Sequence, residues 1–97
     1  MKAIALTAAA IALSISTLAS ADEAVTGYCA AAGQLAHSIA KARDRGVPLE
    51  KVLEITSEGE DALTDSRIAV AVYANPGKSP DDSRAEVQAA CFRAYSI

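Results

Sequence analysis

The chain has 97 residues, of which 52% are hydrophobic but only 4% aromatic, with no Trp and a single Phe. That length supports one domain at most; its core has to come from Ala, Val, Leu and Ile, and little interior is left to hollow into an ordinary catalytic pocket. The net charge of −3, more negative still without Lys2, argues against a phosphate-binding surface and so against a nucleic-acid partner.

Met1-Lys2 puts one positive charge ahead of a run from Ala3 to Leu13 that is apolar apart from Thr7, and Ala19-Ser20-Ala21 offers small side chains where a signal peptidase reads them. The pattern predicts a signal peptide over residues 1–21, cut after Ala21, and a single domain over residues 22–97 that is periplasmic or secreted. Ser14, Ser16, Thr17 and Ser20 interrupt the leader short of the ~20 apolar residues a bilayer span requires. The longest later apolar run, Ile68 to Ala74, is shorter still, so no membrane span is expected in the mature chain.

From Ala24 to Arg45 the apolar positions Val25, Tyr28, Cys29, Ala32, Leu35, Ala36 and Ile39 trace one face of a 3.6-residue period. This predicts an amphipathic helix, with Asp22 and Glu23 at its start, Lys41, Arg43 and Arg45 in its last turn, and Gly46 to end it in a left-handed conformation. Its many alanines favour helix and let a neighbouring helix approach closely. Pro48 suits the first position of a second, shorter helix with Leu49, Val52, Leu53 and Ile55 on its apolar face, ending near Thr56. Glu54, Glu58, Glu60, Asp61 and Asp65 make the stretch from Lys51 to Arg67 read as a solvated acidic connector. It lacks the D-x-D-x-D-G spacing of a calcium loop.

Ile68, Val70 and Val72 alternate with Ala69, Ala71 and Tyr73, which fits a strand as well as a buried helix. No second β-branched run exists to pair with a strand, so a helix from about Leu63 to Ala74 is expected. Asn75-Pro76-Gly77-Lys78 reads as a turn. Ser79-Pro80-Asp81-Asp82 then supplies a hydroxyl N-cap, a first-turn proline and two acids facing unpaired amides. The last helix is expected to run to about Tyr95, with Val87, Ala90, Cys91 and Ala94 inward and Ser83, Arg84, Glu86, Gln88 and Arg93 mostly outward.

Cys29 and Cys91 fall on the predicted inner faces of the first and last helices. They have neither the C-x-x-C spacing of a thiol exchanger nor enough companions for zinc, since His37 is the only imidazole. In an oxidising compartment they are expected to pair, and closing so long a loop contributes ~4 kcal/mol in the chain-entropy model. That is comparable to the whole net stability of a small domain.

No catalytic constellation emerges. His37 has no carboxylate at i−4 or i+4 to orient it, no serine sits in a G-x-S-x-G elbow, and the acids cluster in a polar stretch rather than an apolar cleft. No catalytic residue, cofactor site or metal site is therefore assigned. Tyr28 and Tyr95, beside or one turn from the cysteines, are the candidate interaction surface; gap-filling in an alanine core is the alternative.

The leader, a cysteine-bearing helix entering A-x-x-I-A-x-x-R-D-x-G (Ala36 to Gly46), a V-Y-x-x-P turn (Val72 to Pro76), an S-P-x-x helix start (Ser79 to Asp82) and the closing Cys91 together resemble small exported helical, single-disulfide proteins of proteobacteria with no assigned activity. The resemblance covers nearly all of the mature chain and brings no catalytic residues with it. The chain is also similar to acid-stress periplasmic chaperones in size, helicity and one long-range disulfide. The expected architecture is an all-α bundle of about four helices stapled by one disulfide. The expected role is a non-catalytic binding module whose partner is another exported protein. The alternatives are a chaperone that exposes its Ala- and Tyr-rich faces when its 12 carboxylates are protonated, and a small hydrolase using His37.

Overall fold

A computed structural model describes the backbone of residues 2–95 and the side chains from Glu23 to Tyr95. Among these residues there are four helices and no strand: α1 (Lys2–Asp44), α2 (Leu49–Thr56), α3 (Ala62–Ala74) and α4 (Pro80–Ala94). The all-α bundle is as expected, and the ambiguous run from Ile68 to Ala74 is helical. No helix among the described residues is long and apolar enough to cross a membrane.

The start of α1 differs from the expectation. The helix does not begin near Ala24 but runs unbroken from Lys2. The reason is local: residues 3–21 are rich in Ala, Leu and Ile, and neither Gly nor Pro interrupts them, so the expected leader is itself a strong helix former. Asp22 and Glu23 accordingly lie inside a continuous helix rather than in a first turn. The side chains of the expected leader, and Met1, Ser96 and Ile97 altogether, lie outside the described residues.

The C-terminal end of α1 follows its sequence closely. Gly46 takes φ +86°, its amide donates to the Arg43 carbonyl at 3.0 Å, and the Val47 amide donates to the Ala42 carbonyl at 3.0 Å. This paired closure satisfies two of the carbonyls a helix end leaves open. Pro48 stands one place earlier than expected, as the N-cap of α2 with ψ 151° rather than as its first helical residue. The acidic stretch is corrected as well. Glu54 belongs to α2 and Asp65 to α3, so only residues 57–61 connect. Buried Thr56 meets Ser66, hydroxyl to hydroxyl at 3.0 Å, and draws α2 and α3 into a hairpin. At α4 the Ser79 hydroxyl accepts from the Asp82 amide at 3.1 Å, and Pro80, Asp81 and Asp82 fill the first turn as expected.

The core is built from small residues. Ala36, Ile39 and Ala40 of α1, Val52 of α2 and Ala69 and Val72 of α3 form one buried cluster, with Leu35, Leu53, Tyr73 and Val87 partly buried against it. Two polar ties close the end of the bundle. Arg43, with only 8% of its side chain exposed, donates to the carbonyls of Val72 at 3.0 Å, Asn75 at 3.0 Å and Lys78 at 2.6 Å. The Tyr73 hydroxyl donates to the Val47 carbonyl at 2.5 Å. The turn between α3 and α4 and the loop between α1 and α2 are thereby fastened to each other's helices.

Candidate functional site

Cys29 of α1 and Cys91 of α4 are joined, 62 positions apart, with Cα atoms 5.4 Å from each other. Beside the bridge, α1 and α4 come close because Gly33 has no side chain. A Cβ there would lie 3.1 Å from both Cγ and the main-chain oxygen of Arg84, and 3.3 Å from Cβ of Gln88. Seating α4 on Gly33 turns it relative to the expected orientation. Ser83 is buried and Arg84 and Gln88 are half-buried, whereas Ala90 and Ala94, expected inward, are exposed. The physical reason is that the close approach at Gly33 and the bridge at Cys91 fix which face of α4 meets α1, and the apolar pattern of α4 is too weak to choose another.

The turned helix leaves an opening. α1 packs along α4 and against α3, but α3 and α4 make little direct contact. Between them lies a trough of about 590 Å³ floored by Ala32 of α1 and Cys91 of α4. Ile68 and Ala71 form one wall, and Val87, Ala90 and Ala94 form the other. Tyr28 and Tyr95 close one side, their rings 5.8 Å apart and edge to face at 80°. Thr64 and Arg67 stand on the α3 rim. A neighbouring hollow of about 310 Å³ shares Tyr28, Ala32, Thr64 and Ile68 with the trough and adds Asp61 and Asp65.

The structure brings Tyr28, Tyr95 and Cys91 together around the trough, with Cys29 fully buried behind Cys91 at the other end of the bridge. Both tyrosines are substantially exposed, at 37% and 57%. Sequence reasoning missed Arg67, Ile68 and Ala71. The available signal was that α3 is apolar on every side from Ile68 to Ala74 yet has only α1 and α2 to cover it. Outside the trough, Leu63 and Val70 on the far face of α3 are also exposed.

His37 is not without a carboxylate. Its Nε2 lies 3.4 Å from Oδ1 of Asp81 at the start of α4, a partner on another helix that i±4 spacing on α1 does not reveal. Among the described residues no three His, Cys, Asp or Glu side chains converge as metal ligands. Compared with protein-family models, curated proteins and solved structures, the chain finds no match.

Proposed function

We propose that the chain is an exported, non-catalytic binding module whose working surface is the trough between α3 and α4. The observation that carries this is the trough itself: a concave, mainly apolar surface bordered by two exposed aromatic rings that pack on each other above a covalent bridge. A site of that size and lining is the kind that holds ligands, and exposed Tyr supplies contact area at low entropic cost. The disulfide supports a working place outside the cytoplasm, and the residue 1–21 pattern supports export through a cleaved leader. Small size and an acidic surface also suit another exported protein, which would have to reach beyond the trough to bury a stable interface.

The test is a photocrosslinking phenylalanine analogue in place of Tyr95, irradiated in intact cells, with the product weighed by mass spectrometry. Protein beginning at Asp22 and carrying a saturable adduct, lost when Ala90→Trp fills the trough, is the expected result. The adduct's mass separates a protein partner from a small molecule. No adduct at any dose, with the disulfide intact, overturns the proposal.

A further inference from the structure

Resting on the trough as the binding surface, we infer that its occupant is a single-chain carboxylate amphiphile, with the carboxylate on Arg67 and the alkyl chain laid between α3 and α4. Three observations select it. The first is size. The trough's 590 Å³ falls inside the ~300–1,000 Å³ of small-ligand sites, and the α3 wall from Thr64 to Ala71 is ~10 Å long at the helical rise of ~1.5 Å per residue. An extended medium-length alkyl chain spans that distance. A stable protein partner covers about 800 Å² per side, more than two helical turns of trough offer.

The second is charge. Arg67 is the one charged side chain lining the trough, it is exposed, and among the described residues it makes no ion pair or hydrogen bond. A guanidinium in that position presents a planar fork that matches a carboxylate, and the Thr64 hydroxyl on the same rim is a further donor. The third is polarity. Asp61 and Asp65 line the neighbouring hollow and not the trough. They repel an anionic head from that side and leave the Arg67 rim as its place, while the alanine walls receive the chain.

Decanoate is the probe, titrated below its micelle concentration and followed by amide chemical shifts, with decanol and decyltrimethylammonium sharing the chain but not the head. The expected result is saturable one-to-one binding of decanoate with shifts confined to the trough. Decanol and the cation should bind about tenfold more weakly, the scale of one charge-assisted contact at an exposed site. Arg67→Gln should bring decanoate down to the level of decanol, and Ala90→Trp should weaken all three. Equal binding of decanoate and the cation, an Arg67→Gln variant within twofold of the original, or shifts elsewhere on the chain would each overturn the assignment. If decanoate fails while the Tyr95-site adduct persists, the amphiphile falls and the binding module stands; if both fail, both fall.

Discussion

Arg43 and Val72, on different helices, are joined by a single hydrogen bond of 3.0 Å from guanidinium to main-chain oxygen. The same guanidinium also holds the carbonyls of Asn75 and Lys78, so one side chain of α1 satisfies the end of α3 and the turn that follows it. A helix end needs such acceptors met, and here a residue distant in sequence meets them. Removing it takes a charged donor from three carbonyls: those of Val72 and Asn75 keep the amides of Asn75 and Lys78, and the part-buried Lys78 carbonyl must find a new donor. Arg43→Ala is therefore expected to cost about 2–3 kcal/mol, read from urea unfolding midpoints. Arg43→Lys recovers only part of this, because a point charge cannot span the three oxygens that a planar fork reaches. A loss under ~0.5 kcal/mol for Arg43→Ala shows the staple to be dispensable.

Gly27 and Gly33 lie on the same helix and make a matched pair. A Cβ at Gly27 meets nothing within 4 Å, whereas one at Gly33 meets the Arg84 backbone oxygen at 3.1 Å. Gly27→Ala should stabilise by about 0.5–1 kcal/mol through helix propensity alone. At Gly33 the same gain is opposed by overpacking worth about 1–3 kcal/mol, since a main-chain oxygen cannot rotate away. Thermal melts should thus move in opposite directions, and two upward shifts would show that α4 gives way freely.

Cys29→Ser with Cys91→Ser is expected to lower stability by about 4 kcal/mol. At roughly 4–8 °C per kcal/mol for a domain this small, the loss should bring the melt near working temperature. Among the described residues Cys29 is the largest fully buried side chain, so little else can compensate. A doubly substituted chain that melts within a few degrees of the original would remove the bridge from the account of the fold.

His37→Ala tests the hydrolase alternative. Asp81 is 84% exposed on the His37–Asp81 pair, so the pair contributes less than ~1 kcal/mol, and the variant should fold and retain ligand binding. A hydrolytic activity found in the original and lost in the variant would reverse the non-catalytic proposal.

Much of this architecture could be seen in the residues beforehand. Capping chemistry is local, which is why Ser79-Pro80-Asp81-Asp82 and Gly46 located their helix ends within a residue, and why Cys29 and Cys91 pointed at each other from their helical faces. What escaped was set between helices. Ala90 and Ala94 looked inward because their periodicity agrees with Cys91, yet a single missing side chain at Gly33 decided the turn of α4 and put them at the surface. Arg43 looked like a charge placed for the helix dipole, and its acceptors on α3 and the following turn are invisible to any local window. His37 looked partnerless for the same reason. The trough follows from these cross-helix choices, so of its lining only Tyr28 and Tyr95 could be named as a surface in advance.

The bridge spans α1 and α4 directly, while α2 and α3 form a hairpin held to α1 without a covalent tie, by Arg43, Tyr73 and the cluster of Ala36, Ile39, Ala40, Val52, Ala69 and Val72. The molecule accordingly has two tiers of cooperativity. Backbone amides around Cys29 and Cys91 should exchange with deuterium only on global unfolding, and those of residues 49–74 through a cheaper partial opening. Because one trough wall belongs to the labile tier and the other to the locked one, the aperture between them can widen without the scaffold coming apart.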